Sequence, residues 1–369
     1  MTTLESVRIE GLRSLRVIEL EDLGPVTVLI GANGAGKSNL LLALRFLSYI
    51  ASQSLGSLVL RDLGGANSVL YRGSKRTPSM SLEARFRGDA GPVGYRVVLS
   101  AAVGDKLIIS EESVASVGPD GTAAWRIIGV DRAESALDEA SEPVARVVRF
   151  LLQRCKHLHV HDTSVSSRLR GLSREAESRY LRSDGSNLAA YLHALQHDES
   201  VTGRAARLRI RELVQQVAPF VKELTPTRVT GAAGMIRLDW VDEQDDFYSV
   251  EHLSDGTLRA IALITMLAQP ADRLPRLLVI DEPELGLHPS ALSLICELAR
   301  SAASSGCQVI LATQAPAVLD HVEAQEVVVL EREDGATAVH RLDPASLEEW
   351  RGEYSLADLW KKNVLGGRP

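Results

Sequence analysis

Cysteine is scarce, and with it any architecture built on sulfur. The 369-residue chain holds three, Cys155, Cys296 and Cys307. The number is odd and the spacing is not that of metal ligands, so buried thiols in a reducing compartment are expected rather than a disulfide framework. Long apolar runs are also missing. Leu258 to Leu267, interrupted by Arg259, falls short of the roughly 20 residues a membrane helix needs. Met1 to Glu5 carries no signal-peptide pattern. A cytoplasmic protein with no membrane partner is expected. There is no excess of positive charge: 41 Lys and Arg against 48 Asp and Glu leave a net −7, which argues against a uniformly basic nucleic-acid binder. Internal repeats and low-complexity segments are absent. What remains is a globular chain, 45% hydrophobic, large enough for one big domain with an insertion or for two domains.

Against these absences stands one dense motif, Gly31-Ala32-Asn33-Gly34-Ala35-Gly36-Lys37-Ser38. It follows an apolar run, Val26 to Ile30, and opens the helical pattern that begins at Asn39, so strand, loop and helix stand in the order of a phosphate cradle. The glycines let successive N–H groups point inward, and the helix N-terminus adds its positive dipole end. Lys37 is expected on the β- and γ-phosphates of ATP and Ser38 on Mg²⁺.

Along the chain, Ser6–Ile9, Leu15–Leu20 and Val26–Ile30 read as strands. Ser81–Phe86, Tyr95–Ala101, Lys106–Ser110 and Trp125–Val130 alternate with period two, as in an antiparallel meander. Pro143–Gln153 is helical, with Pro143 at a first helical position. Lys156 to Ser164 reads as a strand and turn on which His157, His159 and His161 share one face. That face is compatible with metal ligation, but no nearby Cys or Glu completes a ligand set, and a hydrogen-bonded strand face is the simpler reading. Helices are expected over Leu188–Leu195 and Arg204–Ala218, strands at Arg228–Val229, Met235–Val241 and Tyr248–Glu251, and an apolar helix over Leu258–Ala268. The run Leu277–Ile280 is a buried strand ending in Asp281-Glu282. A helix over Ser290–Ala302, a strand over Gln308–Thr313 and a hairpin, Glu326–Leu330 with Thr337–Leu342, precede a tail holding Trp350 and Trp360.

Two acids after a buried strand complete the chemistry that the glycine-rich loop begins: Asp281 for the Mg²⁺ shell through water, Glu282 to polarise the attacking water. Charge is unevenly distributed. From Val144 to Lys222, fourteen Lys and Arg stand against seven Asp and Glu, a local +7 that leaves −14 for the remainder. Within that stretch Arg204, Arg207 and Arg211 share a helical face. They are the candidate nucleic-acid contact, with a solvated charged face as the plain alternative.

Leu253-Ser254-Asp255-Gly256 resembles the signature motif of ABC-type ATPases, and its order with the loop at 31–38 and the acids at 281–282 matches that superfamily. Ile9–Ser14, Gly31–Asn39, Asp281–Pro289 and Ala312–Pro316 further resemble its RecF/SMC branch. Val160–Ser164 and Leu181–Ala189 look like the insertion of compact stand-alone AAA members, many linked to bacterial defence against phage. The resemblance implies an α/β fold, an ABC-type P-loop head with a mixed central sheet, an antiparallel β lobe and a mainly helical insertion, divided as 1–135, 136–225 and 226–369. It implies an ATPase with ATP and Mg²⁺ held by Gly31, Ala32, Asn33, Gly34, Ala35, Gly36, Lys37, Ser38 and Asn39, with Arg13 and Ser14 near the nucleotide. It also implies that Ser254, Asp255 and Gly256 act in trans across an ATP-sandwiched homodimer. Two departures stand out. Gln314 replaces the switch histidine and cannot carry its charge, so slow turnover is expected. No glutamine is well placed for the coupling loop, Gln53 being the nearest option. SMC-type arms need far longer heptad runs. OLD-type nucleases carry a TOPRIM domain, whereas only Glu331 to Pro369 follows Leu330 here. A nuclease or toxin effector is therefore expected on a separate polypeptide. Two functions are compatible with this pattern, a nucleic-acid-linked sensor or clamp and an ATP-bound scaffold that sequesters an effector. A transporter subunit fits poorly.

Overall fold

The computed structural model describes residues 2–88, 91–118, 122–164, 166–347, 350 and 353–367. In chain order the strands are β1 Thr3–Leu12, β2 Leu15–Leu20, β3 Val26–Ile30, β4 Ser79–Arg87, β5 Val93–Ala102, β6 Lys106–Val117, β7 Ala123–Arg132 and β8 Cys155–Leu158. After them come β9 Ser173–Arg174, β10 Glu223–Arg228, β11 Met235–Val241, β12 Phe247–Ser249, β13 Leu277–Asp281, β14 Gln308–Thr313, β15 Val327–Glu333 and β16 Ala336–Arg341. The chain divides into two compact units, one of Met1–Lys156, Pro275–Val279 and Gln308–Pro369, the other of His157–Leu274 and Ile280–Cys307.

The first unit carries two six-stranded sheets. One is mixed, in the order β16-β15-β3-β14-β13-β8. At its centre β3 is buried at all its positions and runs parallel to both neighbours, with Val28 opposite Leu311 on β14 and opposite Val327 on β15. Only a strand covered on both faces reads as such an unbroken apolar run. The other sheet is the expected antiparallel meander, β2-β1-β4-β5-β6-β7. On β4, Met80, Leu82, Ala84 and Phe86 are buried in alternation with more exposed partners. Helices Lys37–Ala51 and Pro143–Gln153 join the two sheets in one apolar core.

β6 runs beyond the expected end at Ser110 because the carboxyl group of fully buried Glu112 is satisfied internally. Its carboxylate accepts from the Tyr95 hydroxyl (2.6 Å), the Ser135 hydroxyl (2.6 Å) and the Ala136 N–H (2.7 Å). Burial, with the carboxylate alongside, pushes the Tyr95 pKa well above the ordinary phenol value. Buried Gln308 at the start of β14 donates to the carbonyls of Leu4 (2.9 Å), Gly24 (3.0 Å) and Leu23 (3.3 Å) and accepts from Leu4 N–H (2.8 Å). One side chain thus satisfies backbone from β1 and the β2–β3 turn.

The second unit holds β10-β11-β12, with β9 also on β11, and helices Leu188–Gln196, Val201–Val217, Asp255–Leu267 and Pro289–Ser304. Two expectations are corrected. The strand read over Lys156–Ser164 ends at Leu158. The strand read at Arg228–Val229 occupies Glu223–Arg228; Pro226 hid it, and Pro is tolerated because β10 lies at the sheet edge. Helix Val201–Val217 starts ahead of Arg204 because the Ser200 hydroxyl accepts the Gly203 N–H at 3.0 Å. The three cysteines are free and buried. Among the described residues no helix is long and apolar enough to cross a membrane.

Candidate functional site

The glycine-rich loop leaves β3 at Gly31 and enters helix Lys37–Ala51. Gly36, the residue before the helix, has φ +113°, and a Cβ there would overlap the Thr337 side chain. A glycine is required on both counts. Buried Lys37 folds back over its own loop, its Nζ donating to Gly31 O (2.6 Å) and Ala32 O (3.1 Å). This holds the ammonium at the mouth of the loop. Ser38 is exposed at the first helical turn.

Arg13, Ser14 and Asn39, predicted as neighbours of the nucleotide, come together beside the loop. Asn39 Nδ2 donates to Ser14 Oγ (2.8 Å), and Ser14 Oγ shares a 2.7 Å hydrogen bond with Thr337 Oγ1. Arg13 sits in a left-handed backbone conformation with its guanidinium 3.5 Å from Asn39 Oδ1, and burial draws its pKa below the ordinary arginine value. Thr337 was not singled out from sequence. Its partners lie 323 residues away in the chain, and no local pattern signals the contact. A cavity of 310 Å³ is lined by Gly31, Ala32, Asn33, Gln314, Pro316, Trp360 and Lys361. The predicted Gln314 and the first half of the loop therefore border one space, joined by a C-terminal helix, Leu356–Lys361, that sequence reading left as tail. The Trp360 indole N–H in that wall is buried without a hydrogen-bond partner. Gln53, the other glutamine considered, donates to Ser135 O at 2.7 Å.

In the second unit, Asp281 ends β13 and Glu282 follows with φ +47°, a left-handed conformation that non-glycine residues adopt rarely. Both are partly exposed. His161 stands over them, its Nε2 3.3 Å from Asp281 O and its Nδ1 3.9 Å from Glu282 Oε2. Its ring stacks on His159, centroids 3.9 Å apart.

Helix Asp255–Leu267 begins at Ser254, an exposed cap whose hydroxyl accepts the Thr257 N–H at 3.1 Å. The start of this helix packs so tightly on the loop after Glu282 that a Cβ on Gly256 would overlap Gly286 O. Two arginines fasten the arrangement. Arg170 donates from Nη1 to Val250 O (2.7 Å), from Nη2 to Leu253 O (3.0 Å) and Asp255 Oδ1 (2.8 Å), and from Nε to Thr163 O (2.8 Å). Arg259, buried on the apolar helix, donates to Val160 O (2.6 Å), His161 O (2.9 Å) and Leu285 O. Burial lowers the Arg259 pKa, opposed by Asp255 and Glu282. The sequence did hold a signal for Arg259, since a lone charge inside an apolar helix needs partners. Arg170 had none, being one arginine of a basic stretch.

The arginine face divides. Arg204 is exposed beside Glu199 (3.4 Å), whereas Arg207 donates to Gln196 O (2.7 Å). Arg207 and Arg211 both border a 250 Å³ cavity with an apolar floor of Leu192, Leu195, Ile210 and Val214.

The glycine cradle, the folded-back Lys37 and the exposed Ser38 of the first unit fit the phosphates of a nucleotide. Asp281 and Glu282 belong to the second unit, where their carboxylates fit a divalent cation's water shell.

Comparison with known proteins places the chain. It is similar to the Old nuclease of Escherichia phage P2, 23% identical over 393 residues covering 94% of this chain and 62% of that protein. It thus spans a little under two thirds of the relative's length. In fold it is similar to an Smc head bound to the C-terminal winged-helix domain of ScpA, with 14% identity, TM-score 0.60, and 94% of this chain and 99% of that one covered. It is also similar to an Smc head with an extended coiled coil bound to the C-terminal domain of ScpA derived from Pyrococcus furiosus, with 14% identity, TM-score 0.57, and coverage of 96% and 99%. Residues 26–119 and 155–320 match the AAA_21 family, described as "AAA domain, putative AbiEii toxin, Type IV TA system". Matched over more than half its length, the chain belongs to this AAA family.

Proposed function

We propose that the protein binds Mg·ATP, closes as an ATP-sandwiched homodimer and hydrolyses the nucleotide slowly, working as a nucleic-acid-linked sensor or clamp in anti-phage defence or DNA maintenance with a separate effector. The observation that carries this reading is the loop at Gly31–Ser38, where a buried lysine is held by two carbonyls at the mouth of a glycine cradle. Bound Mg·ATP supplies an activated phosphoanhydride bond and a metal that spreads its charge. The chain's own residues do the rest. Backbone N–H groups of residues 33–38 and Lys37 hold the phosphates, while Ser38 and Asp281 hold the metal shell. Glu282 takes a proton from the attacking water, and Gln314 orients it through an amide that stays neutral at every pH.

Ser254 and Asp255 are exposed at the positive end of their helix. A γ-phosphate held by a second copy would complete that anion site, which makes closure depend on ATP. In this scheme 136–225 is the helical insertion that carries contacts outside the ATPase cycle, with Arg204 and Arg211 as its exposed nucleic-acid cations.

Light scattering on the Glu282→Gln protein tests the scheme, because this change keeps the shape while removing the base. A mass that doubles with ATP and Mg²⁺ is expected; a mass that does not respond to ATP refutes the clamp. A second reading rests on Gln314. If neutral Gln314 makes turnover rare, the protein acts as an ATP-bound scaffold holding a toxin or nuclease. An assembly that is fixed without ATP and co-purifies with a second gene product of its operon favours that reading.

A further inference from the structure

The strand-end histidines lacked a third ligand in the sequence, and the fold supplies it. His159, His161 and Asp281, separated by about 120 residues in the chain, bring one ligand atom each to within 4.8 Å of the others. Chain curvature alone does not produce such a gathering. Arg259 grips the carbonyls of Val160 and His161 on either side of the His161 backbone N–H, so the histidine segment is fixed although it lies outside any strand. Glu282 Oε2 stands 3.9 Å from His161 Nδ1, on the side of the ring away from Asp281 O. The separation is longer than a hydrogen bond, and a closure of about 1 Å would make Glu282 the outer carboxylate that sets which nitrogen of a metal-bound imidazole faces the ion. His159 is exposed and His161 and Asp281 are partly so, which leaves an entry path from solvent.

We propose that His159, His161 and Asp281 bind one divalent transition-metal ion of the zinc class. Two imidazoles with one carboxylate suit Zn²⁺ over Mg²⁺ or Ca²⁺, whose sites are built of oxygen, and three protein donors leave a fourth position for water. The site shares Asp281 with the Mg²⁺ of the nucleotide site. Zinc bound directly to Asp281 would withdraw the lone pairs that orient the water shell of Mg²⁺ and place a second dication beside it, so zinc and Mg·ATP should exclude one another. This second statement rests on the nucleotide reading above; the site itself does not.

The test is a zinc titration of the full-length, nucleotide-free protein against a chromophoric chelator. One competing equivalent is expected. His159→Asn, His161→Asn and Asp281→Asn each should weaken it at least about tenfold. A second group, Glu331, Glu333 and His340 on the β15–β16 hairpin, is the rival location, so His340→Asn should leave the affinity unchanged. His159 is exposed, and thermal melting of His159→Asn against wild type separates ligand loss from misfolding. No zinc equivalent, an equivalent that survives His161→Asn, or one lost in His340→Asn overturns the proposal. Adding Mg·ATP should then raise the apparent zinc dissociation constant at least about tenfold. Binding of a fluorescent ATP analogue is read in parallel. If the analogue binds and zinc is undisturbed, mutual exclusion fails while the site stands. If the analogue does not bind but zinc does, it is the nucleotide reading that fails.

Discussion

Replacing Arg170 by methionine should loosen the turn that presents Ser254 without replacing any residue expected to meet nucleotide. Its guanidinium satisfies the carbonyls of Thr163, Val250 and Leu253 at 2.7–3.0 Å and the Asp255 carboxylate at 2.8 Å. The Arg170 side chain is only 6% exposed while that of Asp255 is 68% exposed. The ion pair is therefore screened and contributes little. The carbonyls decide the cost: about 1 kcal/mol each for a hydrogen bond lost in a buried setting, or about 3 kcal/mol together. That figure corresponds to roughly a hundredfold faster local opening. Hydrogen–deuterium exchange of 250–258 reads it directly, with the β3–β14 amides as an internal standard. Lysine at 170 carries a point charge without the fork and should recover part of the protection. Asp255→Asn should change exchange less than threefold. If Asp255→Asn opened the turn as much as Arg170→Met, or if Arg170→Met left 250–258 protected, the assignment of the stabilisation to backbone carbonyls would be wrong.

Gln308→Leu removes the partners of Leu4 N–H and of the Leu4, Leu23 and Gly24 carbonyls and should lower stability by about 3 kcal/mol, read as an earlier urea midpoint. Gly36→Ala should abolish ATP binding measured with a fluorescent analogue; adding Thr337→Ala should not restore it, because removing the overlapping side chain leaves φ at +113°. Hydrogen bonds from the Ser200 side chain and backbone hold the Asp198 carboxyl below its ordinary pKa of 3.8. Its stabilisation is therefore complete above that value and lost as pH falls through the lower folded-state value, so Asp198→Asn should flatten the acid limb of a melting-temperature profile. Nucleotide entering beside Gly31–Asn33 should change the emission of Trp360 in the same wall, and Trp360→Phe should remove that change from the summed signal of the four tryptophans.

The elements legible in the sequence were those whose pattern is set locally. β3, β14 and the helix Pro143–Gln153 follow from unbroken apolar runs or a 3.6-residue period, and they stand where that pattern put them. The errors fall where a tertiary partner overrules a local cue. The strand expected to end at Ser110 continues through Glu112, because two hydroxyls and an amide replace water around its carboxyl inside the fold. The strand expected at Arg228–Val229 lies instead over Glu223–Arg228 and takes in Pro226, whose missing N–H costs nothing at a sheet edge. The histidine run promised a longer strand, and its continuation past Leu158 is instead held by arginine donors on a helix about a hundred residues away.

The same division runs through the site. A phosphate cradle is a backbone device, so its residues are adjacent and the motif announces them. The residues that fix the turn at Ser254 and the acidic loop bind backbone carbonyls instead, and a carbonyl has no identity in a sequence: any residue supplies one. Arg170 and Arg259 each satisfy three of them, and Thr337 meets Ser14 from 323 positions away. Arg259 is the more informative case. It joins the helix that begins at Ser254 to the carbonyls of His161 and Leu285, on either side of Asp281 and Glu282. A movement at the start of that helix therefore should not leave the acidic loop undisturbed, because Gly256 has no room against Gly286 and the Arg259 guanidinium holds Leu285 O and His161 O together. The buried Arg259 guanidinium and the Gly256–Gly286 contact thus link the surface expected to meet a second copy to the loop that carries the carboxylates expected to act on water.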